Sequence, residues 1–179
     1  ALDYSQVELR VAAILSNDEK LIEVFSSGED IHTSVAARVF DVDIKDVTKE
    51  MRRQAKVINF GILYGMGVNA LKDNLGTDRK TAQEFYNQYF AIYDQLAAYL
   101  EKTKADAQEN GYTKTMFNRR RYFEGFKSKL PFIRAAAERM AINAPIQGTQ
   151  ADLIKLAMVK IDEYLKKEKV DGKVKLILQ

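Results

Sequence analysis

Cysteine is absent from the 179 residues, which excludes a disulfide framework, cysteine-ligated zinc and thiol chemistry. Proline occurs twice, at Pro131 and Pro145, and histidine once, at His32. So few helix breakers leave room for long helices. No apolar run approaches the roughly 20 residues that span a bilayer, and no basic segment leads into an apolar one at the N-terminus. The chain is therefore expected to be soluble, unsecreted and free of membrane partners, and the absence of cysteine is compatible with a reducing cytoplasmic setting. One-sided charge is also missing, since 28 Lys and Arg against 25 Asp and Glu leave a net +3. With 46% hydrophobic and 30% charged residues the composition is globular rather than disordered. This length fits one domain or a little more and buries about 70% of its unfolded surface.

What the total conceals is distribution. Lys114 to Arg139 holds eight basic residues and two acidic ones, a belt of +6, while the remaining residues sum to −3. Such a belt meets polyanions, although a solvated basic face would look the same in sequence.

The pattern reads as mainly helical with a few short strands. Asp3 to Leu9 alternates briefly and suggests a strand before the apolar Leu9 to Leu15. Asp30 suits the N-cap of a helix through Phe40, and Thr48 that of a helix to about Tyr64. Thr77 or Asp78 can cap one long helix to about Asn110, whose Phe85, Tyr86, Tyr89, Phe90, Tyr93, Leu96 and Leu100 form a core stripe. Gly111 suits its stop, and Tyr112 to Phe123 a short hairpin around Asn118. Pro131 fits the first turn of another helix, through Leu165, expected to bend or break near Pro145. Val174, Leu176 and Leu178 close the sequence as a strand.

Arg52, Lys56, Phe60 and Tyr64 follow one another at i+4 spacing, a stripe basic in its first half and aromatic in its second. Cations that neutralise phosphates, with rings one turn on, suit a nucleotide; an ordinary amphipathic helix is the competing reading. Gly61 and Gly65 lie beside the stripe, where glycine permits close backbone approach. Asp3 could ligate magnesium from a strand end, but one carboxylate is a poor metal site. Asp152, Asp162 and Glu163 read as surface positions rather than as its partner.

DYSQVELR (Asp3 to Arg10) resembles motif A of the family A DNA polymerases, the bacterial DNA polymerase I type also found in phages. RRQAKVINFGILYG (Arg52 to Gly65) resembles motif B, the fingers helix. DIHTSVAARVF (Asp30 to Phe40) and RAAAERMAINAPIQGTQAD (Arg134 to Asp152) continue the likeness in the family's order, so it covers nearly the whole chain.

The resemblance implies the fingers subdomain and part of the palm of a right-hand polymerase. Residues 1–16 would be a palm piece with motif A and 17–111 the helical fingers with motif B. Residues 112–179 would supply a hairpin, a long kinked helix and a cut-short palm strand. It also implies nucleotidyl transfer from a dNTP to a primer 3′-hydroxyl by two magnesium ions, on primer-template DNA, in a bacterial cell or phage-infected host. Asp3, with the carbonyl of Tyr4, would hold the metals, and Asp3 and Lys56 would be catalytic. Arg52 and Lys56 would bind the triphosphate, Phe60 would stack on the incoming nucleotide, His32 would touch phosphate and Gln6 would support the site. Glu8 would exclude a ribose 2′-hydroxyl, with Tyr64 packed beside it, which disfavours the alternative of a single-subunit RNA polymerase.

Arg139, Asn143 and Gln147 would face primer and template in the minor groove, where acceptors are similar for all pairs. Ala135, Ala136, Ala137, Ala141 and Ala144 are expected to keep bulk away from the DNA there. Arg119, Arg120 and Arg121 would lie near the duplex backbone, with Asn118 where the family usually has glycine. Because Asp3 lacks a motif C partner, the chain is expected to be inactive without the rest of the parent polymerase. A non-catalytic helical DNA-binding module is the alternative reading.

Overall fold

The computed structural model describes residues 4–167. Asp3 and the expected strand at 174–178 lie outside the described residues. Eight α-helices and one two-stranded ribbon form in the order α1 (Val7–Ser16), α2 (Glu19–Ser27), α3 (Ile31–Val39), α4 (Lys49–Leu63), α5 (Val68–Leu75), α6 (Arg79–Ile92), α7 (Asp94–Asn110), β1 (Tyr112–Lys114), β2 (Arg120–Tyr122) and α8 (Pro131–Lys167). Short 3₁₀ turns cover Ile44–Asp46 and Glu124–Lys127.

Local capping explains many of the boundaries. Asp30 accepts from the Thr33 amide at 2.9 Å, Thr48 from Met51 at 3.2 Å, and Asp78 from both Lys80 and Thr81 at 2.8 and 3.0 Å. Gly111 ends α7 at φ 78°, a left-handed conformation that costs glycine little.

Two expectations about the elements are overturned. No strand forms from Tyr4 to Leu9: Ser5 and Gln6 make a turn, and α1 already runs from Val7. Its inner face, Leu9, Val11, Ala12 and Ala13, is buried, so tertiary packing decides against the brief alternation. The single long helix after Asp78 is in fact two, broken at Tyr93. The cause sits far away in sequence. Buried Asp18 caps α2 through Leu21 N at 3.1 Å with one oxygen and accepts from Leu96 N, in the first turn of α7, at 3.0 Å with the other. Lys20 Nζ donates to the Ile92 carbonyl at 2.6 Å, and Glu19 N to Gln95 Oε1 at 3.0 Å. One turn of α2 thus satisfies the orphan groups that a helix break at Tyr93 exposes.

The core joins α1 to α7 around Leu9, Leu21, Ile31, Ile58, Leu71, Tyr89, Tyr93 and Leu96, with Ile146 of α8 inserted. Tyr89 and Tyr93 are fully buried with ring centroids 5.0 Å apart, so the aromatic stripe is core. A smaller cluster of Ala107, Phe123, Ala141 and Ala144 fastens α8 to α7 and the ribbon. α8 continues through Pro145 without breaking. Thr149 Oγ1 donates back to the Pro145 carbonyl at 2.6 Å and accepts from Met116 N at 3.0 Å, which ties α8 to the hairpin loop. No helix among the described residues is long and apolar enough to cross a membrane.

Candidate nucleotide and nucleic-acid interface

The α4 stripe is laid out as its spacing requires. Thr48 starts the helix, Ala55, Ile58, Asn59, Ile62 and Leu63 turn inward, and Arg52, Lys56, Phe60 and Tyr64 are left on the outer side. Phe60 and Tyr64 stack at 6.1 Å between centroids and 25° between planes. His32, at the start of α3, lies 5.7 Å from Phe60, tilted by 49°. The structure therefore gathers His32, Arg52, Lys56, Phe60 and Tyr64 on one side of the α3–α4 pair.

Arg52 is not a free cation. Its Nε and Nη2 fork onto the two carboxylate oxygens of Asp30 at 2.8 and 3.0 Å. Burial would raise the Asp30 pKa, but the Arg52 fork and the Thr33 contacts outweigh it and hold the carboxyl at about 2. Asp30 thus caps α3 and positions Arg52, a second duty the sequence does not announce. A phosphate reaching Arg52 would exchange one bidentate anion for another. Burial holds His32 below the usual imidazole range; Asp30 opposes the shift, and Arg52 and Lys56 add to it. Arg53, on another side of α4, pairs with Glu50 at 2.8 Å.

At the far end of the stripe the Tyr64 hydroxyl donates to Glu8 Oε2 at 2.6 Å. The structure thus brings together the two residues that the sequence places beside each other only through motif resemblance. Gln6 precedes α1 in a left-handed conformation, φ 55°, uncommon for a residue with a side chain. Tyr4 is exposed.

α8 presents Arg139, Asn143 and Gln147 to a cleft of about 330 Å³, which Tyr64, Arg121, Ala136 and Met140 also line. Gly65, at φ +69°, packs directly on Arg139: a Cβ there would stand 3.0 Å from Arg139 Cγ and 3.3 Å from its Cα. Motif B and the α8 stripe therefore meet at backbone distance. The alanine reading needs correction, because Ala137, Ala141 and Ala144 are buried, the last two against Ala107 of α7 and Phe123 and the first beside Gly125 of the second 3₁₀ turn. Ala136 alone of the five lines the cleft.

The three consecutive arginines have separate fates. Arg119 Nε donates to Asp152 Oδ1 at 2.9 Å and its Nη2 to the Gly148 carbonyl at 3.0 Å, so it pins the hairpin to α8. Asp152 is accordingly half-buried rather than freely exposed: its side chain is only 13% exposed. Arg120 lies over the Tyr112 ring at 4.6 Å, and Arg121 reaches the cleft beside Met140. Asn118 takes the left-handed conformation, φ 62°, that a glycine would adopt most cheaply. Sequence reasoning did not single out Asn59, which lies buried against His32, or Arg121 as a cleft residue. A polar residue on the inward stripe of α4 was the available signal for Asn59.

The site is thus a cation-and-ring stripe on packed helices beside a polar cleft. The profile of DNA polymerase family A matches residues 1–179, and the chain belongs to that family. It is 49% identical over 177 residues to DNA polymerase I of Caldicellulosiruptor bescii, covering 99% of this chain and 21% of that protein. With the thermostable DNA polymerase I of Thermus aquaticus the identity is 50% over 161 residues, covering 90% of this chain and 19% of the relative. A solved structure of the POL domain of Pol1 from M. smegmatis, in complex with DNA primer-template and dNTP, superposes with a TM-score of 0.90. That match has 42% identity and spans 93% of this chain and 30% of the other. The chain thus spans about a fifth of the curated relatives it matches.

Proposed function

We propose that this chain serves template-directed DNA synthesis within a larger polymerase, contributing the dNTP-binding face of the fingers and part of the primer-template surface. The observation that carries the proposal is the α4 stripe with its two side contacts, His32 beside Phe60 and Glu8 bonded to Tyr64. In this reading Lys56 and Arg52 take the triphosphate charge, and Phe60 covers the base or sugar. The Glu8–Tyr64 pair walls off the space a 2′-hydroxyl would need. Arg139, Asn143 and Gln147 offer donors to minor-groove acceptors that all base pairs share. Arg120 and Arg121 are better disposed toward phosphates than Arg119, whose guanidinium is engaged by Asp152 and Gly148.

Magnesium enters through the family likeness, with Asp3 and the Tyr4 carbonyl as its ligands. When bound, two such ions would activate the primer hydroxyl and stabilise the leaving pyrophosphate. Among the described residues no three His, Asp or Glu side chains converge on a metal site, and Asp3 lies outside them. Of the described residues Tyr4 would offer the ions its backbone carbonyl, and the side chains named above would bind and orient the nucleotide and the DNA.

The test is steady-state primer extension by the complete polymerase that contains this segment. Lys56→Ala should lower kcat/KM for dNTP by about a hundredfold, the scale of one lost charge contact to the transition state, with primer-template affinity intact. Gln147→Ala should weaken discrimination at the primer terminus. If Lys56→Ala changes only salt-dependent duplex binding, the chain is a DNA-binding module and the nucleotide reading fails.

A further inference from the structure

We propose that Asn59 is a positioning residue that sets which nitrogen of His32 carries the proton, so that a neutral imidazole offers its Nε2–H to the triphosphate. The inference rests on reading His32 as a phosphate contact. Asn59 is fully buried on the inward stripe of α4, and its Nδ2 stands 3.1 Å from His32 Nδ1. His32 itself is only 4% exposed. An amide NH₂ can only donate, so Nδ1 must accept with its lone pair, and the single proton of a neutral imidazole then belongs to Nε2, across the ring.

The surroundings of the ring keep it neutral, which leaves one proton to be placed. Asn59 Oδ1 is buried without a hydrogen-bond partner among the described residues, so the contact to Nδ1 is the side chain's one polar link to the ring. The charged groups that act on the imidazole are Asp30, the N-cap of α3, and Arg52 and Lys56 of α4, two cations against one anion. Burial and that surplus of positive charge both disfavour imidazolium. A histidine held in this way donates a directed hydrogen bond without adding a third positive charge beside Arg52 and Lys56. With the opposite tautomer, Nε2 would turn a lone pair toward a phosphate oxygen.

His32 is the only histidine of the chain, which makes the experiment clean. Long-range ¹H–¹⁵N correlation spectra would be recorded at pH 7, without nucleotide, on ¹⁵N-histidine-labelled protein. Both the 179-residue chain and the complete polymerase would be used, with the signal in the latter assigned by its loss in His32→Gln. A protonated Nε2 with a bare Nδ1 is expected; a protonated Nδ1, a mixture of tautomers or an imidazolium overturns the proposal.

In Asn59→Leu the tautomers should mix, and dTTP affinity of the complete polymerase should fall about tenfold, as for one lost directed hydrogen bond. A purely structural Asn59 would lower the melting temperature of that variant while leaving its tautomer ratio unmoved, and this also overturns the proposal. If His32→Gln leaves dTTP affinity unchanged, the phosphate reading of His32 fails. The tautomer assignment is decided separately by the nucleotide-free spectrum.

Discussion

The Tyr64 hydroxyl donates to Glu8 Oε2 at 2.6 Å, which joins the end of α4 to the first turn of α1 across 56 residues of sequence. Burial and then Glu8 raise the Tyr64 pKa to about 12, against a smaller opposing contact from Gln147. A raised pKa means that the folded state prefers the neutral phenol. The resulting stability is complete below pH 10.0 and is lost as pH climbs through about 12. Ultraviolet titration of wild type minus Tyr64→Phe should isolate one phenol ionising near that upper value, and Glu8→Gln should move it down. A Tyr64 titration unaffected by Glu8→Gln would mean that the bond is not formed in solution.

The Asp30–Arg52 fork predicts an acid limb. Asp30 titrates at about 2 instead of 3.8, so its contribution is present above 3.8 and disappears as pH falls through about 2. Both side chains are partly exposed, so the ion pair itself adds little. Asp30→Ala should cost about 1 kcal/mol at pH 7, mainly from the lost cap and a released Arg52, and should flatten the stability profile between those two pH values. Urea midpoints measured at pH 2 and pH 5 decide it; an unaltered slope contradicts the assignment.

Asp18 is expected to matter at two places at once. Asp18→Ala leaves the amides of Leu21 and Leu96 without their acceptors in a buried setting, a loss of about 2–4 kcal/mol. Hydrogen exchange should show both the start of α2 and the start of α7 opening together. If only α2 loosens, the break at Tyr93 has another cause.

Tyr89 offers the opposite sign. Its side chain is wholly buried, and its hydroxyl has no hydrogen-bond partner among the described residues. Tyr89→Phe keeps the ring contacts to Phe90 and Tyr93 and removes an unpaired polar atom, so it should be neutral or stabilising by up to about 1 kcal/mol. A clear drop in the thermal midpoint would show that the hydroxyl is bonded after all.

Phe60 provides a functional check on the proposed nucleotide face. In the complete polymerase Phe60→Tyr should raise incorporation of dideoxynucleotides relative to deoxynucleotides, because the added hydroxyl can replace the contact of the missing 3′-hydroxyl. Competition assays with both nucleotide types measure the ratio, and an unmoved ratio places Phe60 away from the sugar.

Short-range chemistry was readable in the linear chain. Asp30, Thr48 and Asp78 announce helix starts because an N-cap needs only the amides two or three residues on. Gly111 marks a stop because the left-handed conformation belongs to the residue itself. The α4 stripe is likewise a consequence of the helical period, and family resemblance attached chemical roles to it. The rest depended on partners that no local pattern reveals. Asp18 reaches Leu96 across 78 residues and divides an apparently continuous helix. Asp152, a surface residue by its polarity, is drawn in by Arg119 from the hairpin. The apolar faces of α1 and α8 set which residues turn inward, and so override the strand-like start and hide three of five alanines. Asn59 gains significance only because packing of α3 on α4 buries it against His32. Local conformational preference acts within a few residues, whereas a buried polar group takes its partner from whatever element the core brings within hydrogen-bond distance.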